Sequence, residues 1–346
     1  MFLLSLISII LSFAACGGEK SKEKFTKTYF EYFDTVTTVV GYFDSEEEFL
    51  EVADLVLERL EEYHKLYDIY HSYEGITNLC DVNKLYDGVH KALTVDRKII
   101  DLLLFAKEMH SLTLGETNVA MGALLSLWHD KRKEAEKNPE NASLPDEEAL
   151  VRAAFNSDIR EVKIDEKNST VYLQNPDMKL DVGAVAKGYA TEMIAKELEA
   201  LGVSGVSLNV GGNIRIIGPK PSDEPWVVGV TNPDIAGPEP YAEYVELSGG
   251  AFVTSGSYQR FYKVGDKDYH HIIDKDTYYP SEYFTSVSVL AADSGMADAL
   301  STALFSMSYE DGVALVESLS GIEAVWITKS RDKLYSSGFS AFISSD

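Results

Sequence analysis

The 346-residue chain is 45% hydrophobic and 11% aromatic, enough for a large core in one big domain or two intimate ones. Its formal net charge of −25 argues against nucleic acid as a partner, because a polyanion needs a basic face. An anionic ligand here needs local help from a metal ion, backbone N–H groups or a few placed cations.

The chain opens on "MFLLSLISIILSFAAC", apolar and uncharged through Cys16 and too short to remain as a spanning helix. It closes on Phe13-Ala14-Ala15-Cys16, which resembles the bacterial lipobox. We expect a lipoprotein signal peptide over 1–15 and a lipidated Cys16. A polar tether over 16–28 and one folded domain over 29–346 follow, anchored at the extracytoplasmic side of the cell membrane. An ordinary secretory signal cleaved near the same place is the other reading. With Cys16 lipidated, only Cys80 remains as a thiol, so no intramolecular disulfide is expected. No CxxC or HExxH occurs, so zinc is not suggested.

Residues 30–40, "FEYFDTVTTVV", read as one strand. Residues 45–68 place Phe49, Val52, Leu55, Val56, Leu60 and Tyr63 at helical spacing behind a Ser45 cap. In "LYDIYHSYEGITNLCDVN" (66–83), Tyr67, Tyr70 and Tyr73 recur at helical spacing, which usually means core; a cofactor-stacking aromatic is the alternative. Residues 96–112 form a second amphipathic helix. "TNVAMGALLSLWHDKR" (117–132) has a flexible start and then a helix-like apolar run. Residues 131–148 are charged, contain proline and read as a surface excursion.

"LDVGAVAKGYATE" (180–192) sets Asp181 and Lys187 around a run of small residues that opens a helix ending near Leu201. Close packing accounts for the small residues but not for the charges. It is no Walker A motif, since Gly188 is followed by Tyr189, and no GxGxxG follows a strand. Beyond it, short strand-like runs alternate with turn signals without regular βα alternation, so an α+β fold is expected. "LNVGGNIRIIG" (208–218) is a hairpin at Gly211-Gly212 or a place where backbone approaches a ligand. "HHIIDKDTYYP" (270–280) puts His270 with Ile272 on one side of an extended segment and His271 with Ile273 on the other. One histidine can thus face a pocket as a base, or lie on a sheet surface. In "GMADALSTALF" (295–305), Asp298 and Thr302 share one helix face; two oxygens there suit Mg²⁺, and equally suit a surface Asp and a Thr in a core helix.

Taken in order, "FDTVTT", "NVAMGALLSLW", "DVGAVAKGYA", "LNVGGNI", "VTSGSYQRFY", "HHIID" and "MADALSTALF" closely resemble the ApbE family of FAD:protein FMN transferases, from about Phe30 to about Phe342. The resemblance implies an α+β, T-fold-like domain of mixed sheets with packed helices. It implies Mg²⁺ and FAD, with FMN moved onto a Thr or Ser of an acceptor flavoprotein and AMP released. The acceptor would be a redox-pump subunit or an extracellular flavoprotein. It implies metal ligation by Asp298, Thr302 and the Ala184 carbonyl, and FAD contacts from Tyr73, Ala120, Met121, Gly122, Asp181, Lys187 and Ile272. His271 falls where the family has a histidine that assists catalysis. Two departures stand out: Asn118-Val119-Ala120 where many members have Asp-Pro-Thr, and Lys275 where a proline often follows the "HIID" stretch. A Mg²⁺-dependent FAD pyrophosphatase and a non-catalytic flavin-binding lipoprotein are the competing functions.

Overall fold

Strands β1 (Glu23–Tyr29) and β2 (Thr37–Phe43) pair antiparallel at the start of the chain. The computed structural model describes residues 22–84, 91–234 and 237–344, so Cys16 and the expected signal segment lie outside them. β1 corrects the expected tether: from Glu23 onward the segment is sheet, with Phe25 stacked on Phe49 and Tyr29 in the core. The expected strand over 30–40 is also split. Phe33 and Asp34 both adopt left-handed backbone (φ 57° and 50°), so extended pairing resumes only at Thr37.

Helix α1 (Glu46–Tyr67) starts where Ser45 Oγ accepts from the Glu48 N–H, and it buries the stripe Phe49, Ala53, Val56, Leu60, Tyr63. It ends at Tyr67, because Asp68 is extended. Tyr67, Tyr70 and Tyr73 therefore do not share a helix face, and only Tyr67 is core. A short α2 (Leu79–Asn83), β3 (Leu93–Thr94) and α3 (Arg97–Leu112), capped by Asp96, follow. Helix α4 (Gly122–Lys137) absorbs the first part of the charged stretch. Its exposed turns carry the i,i+3 and i,i+4 pairs Lys131–Glu134 and Arg132–Glu136, and Pro139 comes only after its end. α5 (Glu147–Ala154) takes the other end, leaving 138–146 as the excursion. β4 (Val162–Asp165) and β5 (Thr170–Leu173) join β3 in a small antiparallel sheet.

The second half lays down α6 (Ala186–Ala200), β6 (Val206–Val210), β7 (Asn213–Ile217), β8 (Trp226–Thr231), β9 (Tyr241–Leu247) and β10 (Gly250–Gly256). It continues with β11 (Phe261–Val264), β12 (Lys267–His270), β13 (Ser286–Ala291), α7 (Ser294–Phe305), α8 (Tyr309–Glu317), β14 (Glu323–Ile327) and β15 (Lys333–Tyr335). The main sheet is antiparallel throughout, in the order β1-β2-β6-β7-β10-β13-β14-β15. Both of its faces are covered, which the period of 2 makes visible. Val287, Val289, Ala324 and Trp326 join α7 on one face, while Leu290, Val325 and Ile327 meet the β8–β9 ribbon on the other. The architecture is the expected α+β one, with helices α1, α6 and α7 on the face that carries the site.

Candidate functional site

A cleft of about 640 Å³ opens where the N-terminus of α6, the middle of α7, the ends of β7 and β10, and the wall of α4 converge. That volume suits a cofactor-sized ligand. Its lining brings together Met121, Asp181, Ala184, Lys187, His271, Ile272, Asp298 and Thr302 from the sequence reading. Ala120 and Gly122 do not line it. Ala120 is wholly buried, and a Cβ at Gly122 would overlap the backbone at Lys179, so this glycine serves close packing.

The floor is the crossing of α6 and α7. A Cβ at Gly188 would overlap both Asp298 Cβ and the Ser294 carbonyl, so glycine is what lets the two helices touch. That approach delivers the Asp298 carboxylate to the first turn of α6, where its Oδ2 accepts from the Gly188 N–H at 2.8 Å. The ordinary helical acceptor for that N–H is the Ala184 carbonyl. No hydrogen bond to this carbonyl occurs among the described residues, and Ala184 lines the cleft. Lys187 Nζ stands 3.9 Å from Asp298 Oδ2, a loose pairing. Burial raises the pKa of Asp298, against the pull of Lys187 and the Gly188 N–H. Next to it, Asn213 is buried with its Oδ1 unpartnered.

Asp181 lies at the other end of this segment. Its N–H donates to Val119 O at 2.8 Å, and its Oδ1 accepts from the Gly183 N–H at 2.9 Å. It lines the cleft half-buried, and the desolvation it meets there raises its pKa.

The two adjacent histidines differ. β12 ends at His270, so strict alternation does not carry on through 271–274, and both His270 and His271 border the cleft. His270 Nε2 lies 2.8 Å from Ser281 O and its Nδ1 accepts from the Ile272 N–H, so both nitrogens are used. Among the described residues His271 uses only Nδ1, 3.2 Å from Arg260 O. A carbonyl only accepts, so the proton sits on Nδ1 and Nε2 keeps a free lone pair. Desolvation, helped by Arg260, pushes the His271 pKa down to about 3, so the ring is neutral at ordinary pH.

The wall is aromatic. Tyr70 stacks on His129 with centroids 4.7 Å apart, and Trp128 stacks on Tyr269 while its Nε1–H donates to Tyr278 O. Tyr73, expected beside the ligand, does not line the cleft. Its hydroxyl donates to Asp68 Oδ2 at 2.8 Å and meets His64 Nε2, whose Nδ1 in turn accepts from the Phe33 N–H. Tyr73 braces the loops behind the wall, and Tyr70 is the tyrosine in front.

A family model described as the ApbE family matches residues 33–326. The FAD:protein FMN transferase of Klebsiella pneumoniae (strain 342) is 32% identical over 246 residues, 71% of this chain and 73% of the relative. That of Treponema pallidum (strain Nichols) is 34% identical over 249 residues, 68% of this chain and 67% of the relative. The crystal structure of the ApbE protein from Thermotoga maritima aligns with a TM-score of 0.78 at 29% identity, over 92% of this chain and 99% of that one. This chain belongs to the ApbE family.

Within this ApbE chain the two sequence departures are accommodated locally. Asn118 Oδ1 accepts from the Ala120 N–H at 2.9 Å and its Nδ2 donates to Ser157 O, so the side chain stiffens the turn into α4. Lys275 Nζ lies 3.2 Å from Glu116, partly offsetting the burial that raises the pKa of that carboxyl. The ApbE cleft also recruits His129, Arg132, Asn213 and Arg260, which do not stand out in the sequence as site residues, together with Ser255 and with Tyr70, one of the tyrosines open to stacking on a cofactor. Asn213 and Ser255 each adjoin a glycine of a turn-like stretch, Gly212 and Gly256, and that is the signal the sequence offers for them.

Proposed function

We propose that this ApbE member is a Mg²⁺-dependent flavin transferase. It moves FMN from FAD onto a Thr, or Ser, hydroxyl of a target flavoprotein through a phosphoester bond, and it releases AMP. The observation that carries this reading is the convergence of Asp181, Lys187, His271, Asp298 and Thr302 on one cleft in a chain of this family.

The chemistry follows from the groups. The acceptor oxygen forms a bond to the FMN phosphorus, the bridging P–O bond breaks, and the bridging oxygen leaves with AMP. The acceptor proton passes to Nε2 of His271, the one free ring nitrogen of the histidine pair. Lys187, only loosely paired, offers its ammonium to phosphate oxygens. Asp181 has one oxygen engaged by Gly183 and a second able to accept from a nucleotide N–H or O–H. Trp128 and Tyr70 offer flat apolar area to a ring system and exclude water.

Asp298, Thr302 and the Ala184 carbonyl would hold Mg²⁺. No group of three or more His, Cys, Asp or Glu gathers among the described residues, so the site offers oxygen donors with a single carboxylate. That suits a hard cation completing its shell with substrate phosphate and water. When bound, the ion neutralises pyrophosphate charge, the main electrostatic need of phosphoryl transfer. The signal over 1–15 and a lipid on Cys16 would tether the enzyme outside the cytoplasmic membrane, facing a redox-pump subunit or an extracellular flavoprotein.

Incubating the protein with FAD, Mg²⁺ and a family acceptor domain should yield a covalently fluorescent acceptor. No labelling, with the acceptor shown competent by another transferase, overturns the reading. AMP release equally fast without acceptor instead assigns the site to FAD hydrolysis.

A further inference from the structure

Behind Thr302 runs a chain of hydroxyls whose direction one anchored end decides. Ser301, fully buried on α7, donates to the Asp298 carbonyl at 3.0 Å. A carbonyl can only accept, so the single Ser301 proton is committed there. Ser255 on β10 lies 2.8 Å from Ser301 Oγ and must be the donor in that pair. With its own proton engaged, Ser255 can only accept from Thr302, whose Oγ1 lies 3.4 Å away. The order is therefore Thr302 to Ser255 to Ser301 to the Asp298 carbonyl. At 3.4 Å the first link is the longest, and it is the one that matters for the cleft.

The consequence concerns the Thr302 oxygen. A hydroxyl free to rotate can point its proton at a cation, which repels it. Held by Ser255, the Thr302 proton is turned toward the sheet, and the oxygen lone pairs are left for the cleft that Thr302 lines. We infer that Ser255, backed by Ser301, is a positioning residue that keeps the Thr302 hydroxyl oriented as a cation ligand. This rests on the cation site proposed above. Among the described residues, the neighbouring pair Thr254–Ser288, 2.8 Å apart, has no anchored end and does not reach Thr302. It is the natural control.

The test titrates Mn²⁺ into the full chain saturated with FAD and reads bound metal by electron paramagnetic resonance. Ser255→Ala should weaken Mn²⁺ binding about 10-fold, the scale of losing a group that orients a ligand. Ser255→Thr, which keeps the hydroxyl, should restore it, and Ser288→Ala should bind as the wild type does. If Ser255→Ala binds like the wild type while Asp298→Ala loses the metal, the relay is refuted and the cation site stands. If Ser288→Ala weakens binding as much as Ser255→Ala, the effect is general packing and the relay is again refuted. If Asp298→Ala also binds normally, the cation site itself fails.

Discussion

At the floor of the cleft, α6 and α7 touch with no room for a methyl group at Gly188, and the Asp298 carboxylate is buried against backbone N–H. Along the wall, Tyr70 stays about half exposed and stacks on the His129 ring. The floor places individual oxygens, where a shift of a few tenths of an ångström changes what can be bound. The wall supplies area, which many arrangements of rings provide. Changes to the floor should therefore cost chemistry, and changes to the wall should cost affinity.

The strongest way to break that contrast is Asp298→Ala. We expect transfer to fall about 10³-fold, because charge stabilisation at a phosphoryl group amounts to several kcal/mol. Initial rates of AMP release across a Mg²⁺ titration measure it, and full activity at ordinary Mg²⁺ overturns the assignment.

His271→Ala comes next, at about 10²-fold in kcat, the lower range for a general base. His270→Ala should instead lower stability, since it removes the bonds to Ser281 and Ile272. The pH dependence sharpens this. Burial holds His271 at about 3, so as a base it is lost only as pH falls through that value. kcat/KM should show no break at the ordinary histidine pKa near 6.5. The linked stability term has the matching sign. The unfolded chain binds a proton below about 6.5 where the folded one does not, so stability present above 6.5 declines as pH falls toward 3. A break in kcat/KM near 6.5 that disappears in His271→Ala shows that the ring is not held neutral.

Gly188→Ala tests the floor's packing. Its Cβ has to push α7 away, at roughly 1–3 kcal/mol of stability, with metal affinity falling in step. Denaturant midpoints and Mn²⁺ binding report the two effects. Unchanged values for both would mean that the crossing has slack.

The same contrast explains what was legible in the sequence. The floor leaves a local pattern: small residues between Asp181 and Lys187, and an Asp and a Thr one helical turn apart. α1 and α3 were readable to within a residue, because Ser45 and Asp96 both cap and both look like caps. β1 was lost to the tether because its exposed face, Lys24, Thr26 and Thr28, resembles a polar linker. The 30–36 turn was hidden because Phe33 and Asp34 hold left-handed backbone without a glycine to announce it. Asn213 and Ser255 come to the cleft together because β7 and β10 pair, with Asn213 opposite Val253, a register that neither stretch shows alone.

The smallest predicted effect bears on the wall, where spacing misled. Tyr67, Tyr70 and Tyr73 suggest one helical stripe, but Asp68 ends α1 and the three rings part: Tyr67 is buried in the core at the edge of the cleft, Tyr70 stands half exposed in the cleft, and Tyr73 is the brace. Tyr70→Ala removes a ring from the cleft and unstacks His129, so FAD affinity should fall about 2- to 10-fold, the worth of one aromatic contact, with kcat little changed. Tyr73→Phe removes the hydroxyl that ties Asp68 to His64 and should lower stability by about 1 kcal/mol while leaving FAD affinity alone. Fluorescence titration with FAD and denaturant unfolding separate the two outcomes. If Tyr73→Phe weakens FAD binding and Tyr70→Ala does not, the ligand reaches behind the wall and the division between area and placement fails at that point.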